Sequence, residues 1–212
     1  MATVASPLEQ RIVLHDISWE TYERLLTDHT DSSSPRFTYD RGELEILGPS
    51  AEHEIANRTL ALLVELVAEE LSIEVTNVGS MTFKRHDRQA GLAPDSSFYI
   101  QNEERIRDKT QIDPTTDPPP DLIIEIEVTR SAIPKLPIYA RLGVPEIWRF
   151  DGEQVTIHQL AGREYDDAPV SAALPPLTSQ DLTRFMRESR SLRRTVWIRQ
   201  LRDWARASRS SP

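Results

Sequence analysis

The amino-acid sequence predicts a mixed α/β (α+β) fold, in which a mixed central β-sheet is flanked by helices. The first indication is a long amphipathic helix that begins near Ser50, because apolar residues follow it at spacings of three and four. The second is a strongly apolar strand, "LIIEIEV", at residues 122–128. The third is the alternation of short helices and short strands around these two segments. The apolar positions of the long helix are Ala56, Leu60, Leu63, Val67 and Leu71.

Length and composition predict one domain, with or without terminal appendages, since 212 residues suffice for a full hydrophobic core. The chain has no cysteine, which excludes disulfide bonds and thiolate metal sites. No apolar stretch approaches the roughly 20 residues of a membrane span, and residues 1–16 lack a secretory signal pattern, so we expect a soluble, cytoplasmic protein with no membrane partner. The net charge of −9 argues against coating nucleic acid through bulk positive charge but leaves local contacts open.

The N-terminal half predicts a helix, a hairpin and the long helix, in that order. Ser18 can cap a short helix over residues 19–28. Residues 36–40 and 43–47 form a hairpin, in which Gly42 relieves the tight turn. Short strands are expected after the long helix, and we expect the strands to share one sheet. Their segments are "IEVTN", "SMTFKR" and "SSFYIQ".

The C-terminal half predicts a helix, a second hairpin and a basic end. The helix over "PKLPIYARLG" ends at Gly143, where a left-handed cap costs little. The segments "PEIWRFD" and "QVTIHQL" form a hairpin through Gly152. Residues 186–212 are predicted to be a basic amphipathic C-terminal helix, since residues 190–209 hold seven arginines against one acid. Its basic face either docks on the acidic body or a partner subunit, or contacts phosphates and makes DNA binding steeply salt-dependent.

Carboxylates lie within the most apolar strand of the chain. Because side chains alternate along a strand, Asp121, Glu125 and Glu127 point to the face opposite the apolar residues 122, 124, 126 and 128. A carboxylate is costly to bury without a partner. These acids therefore either face water on an open side of the sheet, or pair with a base or a metal ion.

A second acid favours the metal interpretation. Asp95 follows Pro94 at the start of a predicted strand, where it is either an ordinary turn residue or a firmly held, accessible ligand. Asp95 and Glu125 together would offer carboxylate oxygens to Mg²⁺ or Mn²⁺. Such an ion can activate water and neutralise charge on a phosphodiester. Lys135, in the first turn of the next helix, is either a solvated lysine or a positive group that reaches this site.

Several segments resemble the Uma2 family, also called DUF820. They are "GPSAEHEI", "PDSSFYI", "PPDLIIEIEVTRS" with the following lysine, and "YARLGVPEIWRFDG". The resemblance covers about residues 15–185, which we take as one nuclease-like domain. It implies a restriction-endonuclease-like core of the PD-(D/E)XK nuclease superfamily.

The resemblance implies roles for individual residues. Asp95 and Glu125 become the two metal ligands. The superfamily expects a lysine two positions after the second acid, but this chain has Glu127 there. Lys135 matches a lysine often seen downstream in the family and is the first candidate for the missing positive charge, while Lys84 is the second.

Two further positions have weaker claims. His53 matches a histidine that is frequent in the family, which implies a residue that lines the site; a packed core histidine is the alternative. Glu45, on the hairpin strand before the long helix, is either an extra metal ligand or a solvent-facing acid.

The leading hypothesis is a Mg²⁺- or Mn²⁺-dependent endonuclease that hydrolyses DNA phosphodiester bonds. Asp95 and Glu125 would hold the metal, Lys135 would stabilise the transition state, and Glu127 and His53 would line the site. A homodimer is expected only by analogy with nucleases that cut both strands. Glu127 at the lysine position and the negative net charge favour an alternative, a catalytically inactive module of the same fold that binds nucleic acid or protein. A third hypothesis, hydrolysis of another phosphate ester, would require a closed pocket in place of an open groove.

Overall fold

The computed structural model describes residues 10–29, 34–129 and 131–209 and confirms the mixed α/β class. The strands are β1 (Gln10–Leu14), β2 (Arg36–Asp40), β3 (Glu43–Gly48), β4 (Thr76–Gly79), β5 (Phe83–Arg85), β6 (Ala90–Leu92), β7 (Ser96–Tyr99), β8 (Leu122–Ile126), β9 (Glu146–Phe150), β10 (Val155–Ala161) and β11 (Glu164–Ala168). The helices are α1 (Trp19–Asp28), α2 (Ala51–Leu71), α3 (Glu103–Ile106), α4 (Lys135–Leu142), α5 (Ser179–Ser191) and α6 (Arg194–Arg209), with a 3₁₀ turn at His86–Arg88.

The strands divide between two sheets, where one sheet was expected from the sequence. The first sheet has the order β1-β3-β2-β6-β5, and all its pairs are antiparallel. The second has the order β11-β10-β9-β8-β7-β4 and is mixed, because β8 and β9 run parallel. The single-sheet expectation was wrong because β6, a three-residue strand without a clear sequence pattern, pairs with both β2 and β5. That pairing places β5 in the sheet of the hairpin, next to β6, and not beside β7.

The parallel strands β8 and β9 need a crossover connection, and α4 supplies it. The helix begins at Lys135 and ends before Gly143, whose φ of +82° suits glycine. Both features agree with the predicted helix. The crossover lays α4 on the face of β8 that presents Ile123, where Ile138 and Tyr139 pack beside it in a second, smaller core.

Strand β8 is buried on both faces. Its residues Leu122, Ile124 and Ile126 belong to the main core, which also contains apolar residues of α2, α5 and α6. Glu125, on the opposite face, is only 4% exposed. The interpretation that Glu125 faces water on an open sheet side was therefore wrong, because α4 covers that side.

The long helix α2 begins where the sequence predicts. Ser50 is its N-cap, and the Ser50 hydroxyl accepts a hydrogen bond from the His53 backbone N–H at 3.2 Å. His53 and Asn57 are buried on one side of the helix although they are polar. The start of α2 therefore directs polar side chains towards the interior.

The C-terminal segment forms two helices, α5 and α6, with a break after Ser191. Trp197 and Leu201 of α6 are buried in the main core. On the adjoining face, Arg202 and Arg206 form ion pairs with Glu69 and Glu70 of α2 at 2.6–2.8 Å. This part of the basic face docks on the acidic body. Within the described ranges, no helix is both long enough and apolar enough to cross a membrane.

Candidate active site

Asp95 and Glu125 lie on neighbouring strands at the same end of the second sheet. The antiparallel register pairs Ser96 with Ile124, which places the two acids opposite each other one position further along. A hydrogen bond also joins the two segments, because the backbone N–H of Ile126 donates to Asp95 Oδ2 at 2.6 Å. The two acids are 3% and 4% exposed. The backbone register therefore makes the two residues proposed as metal ligands neighbours across β7 and β8.

Asp95 is surrounded by positive and polar groups from two other elements. His53 Nε2, at the start of α2, lies 2.7 Å from Asp95 Oδ1. Arg36, the first residue of β2, forms an ion pair with the same oxygen, and its Nη2 donates to Glu54 Oε1 at 2.6 Å. Asp95, His53 and Arg36 are all buried, so the guanidinium offsets the cost of burying the carboxylate.

The backbone at Asp95 is also held in place. Asn57, one turn after His53 in α2, donates from Nδ2 to the Asp95 carbonyl oxygen at 3.0 Å. The Ser96 hydroxyl donates to Asn57 Oδ1 at 2.8 Å. Because both polar ends of the buried Asn57 amide are bonded, α2 positions the entry of β7 as well as the Asp95 side chain.

Glu125 is held by a single helix. Lys135 Nζ donates to Glu125 Oε2 at 2.6 Å, and the Tyr139 hydroxyl donates to Glu125 Oε1. The two donors are four residues apart in α4, so they lie on the same side of the helix. Burial, reinforced by the charge of Glu125 and the hydrogen bond to it, raises the pKa of Tyr139 well above 10.0. Tyr139 therefore remains a neutral donor at physiological pH.

A cavity of about 350 Å³ opens beside Glu125. We call it the lysine cavity, after Lys135 in its wall. Glu127 lines it and accepts a hydrogen bond from the Ser131 backbone N–H at 3.0 Å. Arg149 of β9 also lines it, and its Nη1 lies 3.4 Å from Glu127 Oε2. Glu125, Glu127, Lys135 and Arg149 thus surround one space with two negative and two positive charges.

Comparison with protein families identifies the chain. Residues 19–192 match the model of the Uma2 family, whose description is "Putative restriction endonuclease". The chain belongs to the Uma2 family. This confirms the resemblance seen in the sequence, and it supports a nuclease of the restriction-endonuclease type.

A solved structure agrees with this assignment at the level of the fold. The Uma2 chain is similar to the crystal structure titled "a putative nuclease belonging to DUF820" from Anabaena variabilis, with a TM-score of 0.50 and 16% sequence identity. The match covers 73% of this chain and 93% of that one. No curated protein matches the chain.

Two further candidate residues of this Uma2 domain have partners other than Asp95 and Glu125. Lys84 donates from Nζ to Glu23 Oε1 of α1 at 2.8 Å. Glu45 is 1% exposed, so the solvent-facing interpretation was wrong. Its carboxylate accepts hydrogen bonds from the Ser131 hydroxyl at 2.9 Å and the Ala132 backbone N–H at 2.7 Å. Glu45 therefore holds the loop between β8 and α4 in place, because its carboxylate accepts hydrogen bonds from two residues of that loop.

Sequence analysis overlooked four residues that shape the Uma2 site: Arg36, Asn57, Tyr139 and Arg149. The spacing of four from Lys135 was a usable signal for Tyr139. The alternation of β9 places Arg149 on the same face as Ile147, opposite the buried Trp148, and this was a weaker signal. Nothing near Arg36 in the sequence indicates that it pairs with an acid 59 positions away.

Asp95 and Glu125 offer the type of ligand atom that a hard divalent cation prefers. Asp95 and Glu125 supply carboxylate oxygens, each carboxylate has about four lone-pair sites, and the contacts described above leave some of them available. Among the described residues, no group of three or more histidines and acids converges as a ready-made metal cage. Mg²⁺ does not require such a cage, since it commonly binds through one or two carboxylates and keeps several waters.

A second opening lies on the α2 side of Asp95. This groove, of about 430 Å³, is lined by Asp95 but not by Glu125. We call it the arginine groove, because three of its lining residues are arginines from β2, α2 and α6. They are Arg36, Arg58 and Arg194.

Proposed function

We propose that this Uma2 protein is a divalent-metal-dependent endonuclease that hydrolyses DNA phosphodiester bonds. The observation that best supports the proposal is the opposed, buried pair Asp95 and Glu125, with the Lys135 amine 2.6 Å from Glu125. Family membership supports the nuclease class. A nucleic-acid substrate follows from that class.

In this proposal, Asp95 and Glu125 would hold Mg²⁺ or Mn²⁺, and a bound ion would supply an activated water and positive charge for the phosphate. His53 and Arg36 orient the Asp95 carboxylate. Lys135 provides positive charge next to Glu125, where it stabilises the charge that develops on the scissile phosphate. His53, Arg36 and Lys135 thus determine how the two acids face the substrate.

Glu127 occupies the position where the superfamily has a lysine. Positive side chains that line the lysine cavity compensate for the missing positive charge. Arg149 Nη1 lies 3.4 Å from Glu127 Oε2, so part of the extra negative charge is offset. Lys135 approaches Glu125 from the adjacent helix. Glu127 then lines the site and positions the loop between β8 and α4, because its carboxylate accepts a hydrogen bond from the Ser131 backbone N–H.

The test is cleavage of supercoiled plasmid by purified protein in Mg²⁺, Mn²⁺ or EDTA. Asp95→Asn and Glu125→Gln keep the side-chain shape and remove the negative charge, so both should abolish metal-dependent nicking. Glu104→Gln, at an exposed acid outside both openings, is the matched control and should cut as wild type does. Equal cleavage by all four proteins, each shown to be folded by thermal melting, would contradict the proposal.

A second candidate function is a catalytically inactive module that binds nucleic acid or protein. It is favoured by one observation: Arg36 and Lys135 already neutralise the two acids with protein cations. Titration calorimetry with Mn²⁺ separates the two functions. The nuclease should bind Mn²⁺ and lose that binding in Asp95→Asn, whereas the inactive module should bind none.

The association state is also a proposal. Two copies would allow both strands of a duplex to be cut. Light scattering of the purified chain, with and without duplex DNA, measures the number of copies, and a monomer in both conditions would contradict a homodimer.

A further inference from the structure

We infer that the arginine groove binds the phosphodiester backbone of the DNA strand that enters the site at Asp95, with Arg58 and Arg194 as the phosphate contacts. This inference rests on the proposed nuclease function and extends it to the position of the substrate. It concerns the side of Asp95 that faces away from the lysine cavity.

The arginine groove begins at Asp95. Asp95 is part of its wall, and Arg58 follows Asn57, whose amide donates to the Asp95 carbonyl at 3.0 Å. Arg194 is the first residue of α6 and also lines the groove. A phosphate bound between these arginines would therefore neighbour a phosphate at Asp95.

The groove has a built rim. At the end of β4, the Gly79 backbone N–H donates to Asn77 Oδ1 at 2.9 Å. The Ser97 hydroxyl donates to the Gly79 carbonyl at 2.8 Å. Gly79 adopts a φ of +62°, and a Cβ there would meet nothing within 4 Å, so this turn leaves open space. A preformed polar rim lowers the cost of ordering the protein around a ligand.

The three arginines of the arginine groove differ in whether they already form ion pairs. Arg36 is occupied by Asp95 and Glu54. Arg58 and Arg194 are exposed, and within the described ranges neither forms an ion pair. Two guanidinium groups are therefore available for phosphate oxygens, which the planar fork of arginine matches well.

The acids that line the groove are engaged by protein donors. Glu54 pairs with Arg36 at 2.6 Å, and Glu65 accepts from Asn77 Nδ2 at 2.7 Å. Their charges remain, but their oxygens are directed to these donors. The groove thus combines partnered acids with unpartnered arginines.

This assignment also divides the basic C-terminal helix into two parts. Arg202 and Arg206, in its second half, are paired with acids of α2 and hold the helix in place. Arg194, at its start, lines the groove instead. The two alternatives considered for the basic end, docking and phosphate contact, then apply to different residues of the same helix.

The experiment measures DNA binding without cleavage. A short fluorescent duplex, and its labelled single strand, are titrated in EDTA with wild type, Arg58→Gln, Arg194→Gln and the double variant. Fluorescence anisotropy over a range of NaCl concentrations gives the slope of log Kobs against log salt. Arg199→Gln is the matched control: the same charge is removed from an exposed arginine of α6 that does not line the groove and forms no ion pair with the residues that the structure describes.

Each groove variant should reduce the magnitude of the salt slope by about 0.9, or about 0.7 for the single strand, since one phosphate contact is lost. Affinity at low salt should fall about two- to fivefold per arginine, the size expected for one exposed ion pair. The double variant should show roughly the sum of the two single-variant losses, and Arg199→Gln should change neither the slope nor the affinity. In plasmid cleavage, the double variant should raise KM and leave kcat near wild type, because the acids are untouched.

The outcomes separate the groove from the nuclease function. If wild type binds and cuts DNA but the double variant keeps the wild-type slope, the groove assignment is overturned and the nuclease proposal stands. The assignment is also overturned if Arg199→Gln loses as much as the double variant, since general electrostatics would then explain the effect. If wild type binds no DNA even at low salt, the nuclease proposal fails first and the groove loses its ligand.

Discussion

Asp95 and Glu125 have nearly the same burial and occupy opposed positions in the register of β7 and β8, yet they are held in different ways. Asp95 is held by side chains from β2 and α2 and by a backbone N–H of the neighbouring strand. Glu125 is held by one turn of α4, through Lys135 and Tyr139. One acid is thus part of a long-range network, and the other is part of a local one.

The difference indicates a division of labour within the site. The ion pair of Arg36 with Asp95 joins the first sheet to the second, so it contributes to the fold as well as to the site. The Lys135 side chain is 16% exposed and borders the lysine cavity, where it can contact a substrate. We therefore expect changes around Asp95 to affect mainly stability, and changes around Glu125 to affect mainly chemistry.

The largest effect on stability is expected from Arg36→Met. The substitution leaves Asp95 and Glu54 without their cation, and an uncompensated buried charge costs about 3–5 kcal/mol. Urea unfolding followed by circular dichroism measures the loss. Arg36→Lys keeps the charge and should lose less. If Arg36→Met loses less stability than Lys135→Met does, the proposed difference between the surroundings of Asp95 and Glu125 is contradicted.

Lys135→Met should cost less stability and more activity. Glu125 keeps the Tyr139 hydroxyl and gains access to water from the cavity, so the expected loss is about 2–3 kcal/mol. Metal-dependent nicking should nevertheless disappear, because the positive charge beside the acids is gone. The same preparation serves for urea unfolding and plasmid cleavage. Normal nicking by a folded Lys135→Met protein would contradict the role given to Lys135.

Tyr139→Phe tests the second donor to Glu125 and predicts a pH dependence. At neutral pH the variant should be about 1.5 kcal/mol less stable, since one hydrogen bond to a charged group is lost. Burial raises the pKa of Tyr139 in the folded protein well above 10.0, the ordinary value that applies when the chain is unfolded. Its contribution to stability is thus fully present below pH 10 and declines as the pH rises further.

The measurement is urea unfolding of wild type and Tyr139→Phe at neutral pH and above pH 10. The difference between the two proteins should shrink at the higher pH. Other tyrosines with raised pKa values, such as Tyr22 and Tyr165, are common to both proteins and cancel in the difference. A stability difference that grows with pH would contradict the predicted direction of the pH dependence.

The smallest effect on stability is expected from Glu127→Gln. Glu127 and Arg149 are both partly exposed, so their ion pair contributes at most about 1 kcal/mol. The glutamine retains an acceptor for the Ser131 backbone N–H. Urea unfolding should place the stability of this variant near that of wild type. A loss as large as that of Lys135→Met would show that the interaction of Glu127 with Arg149 contributes more to stability than an exposed ion pair does.

Much of the second sheet could be predicted from sequence. The strand at 122–126, the helix that stops at Gly143 and the hairpin through Gly152 have strong local signals: an apolar run, a helix stop and a turn. The first sheet was harder, because β6 has only three residues and only its partners identify it as a strand. Burial of Glu125 also escaped prediction, since a strand pattern does not tell which element covers its second face.

The sequence by itself determined the mixed α/β class, the family, and the pair Asp95 and Glu125 with a lysine nearby. These features depend on residue type and on spacing along short segments, where local propensity and alternation are sufficient. Only the tertiary structure decided that Arg36 neutralises Asp95, that Tyr139 completes the contacts of Glu125, and that the two acids face different openings. The physical reason is that a buried charge is stabilised by whichever group the folded chain brings next to it, and that group can be far away in the sequence.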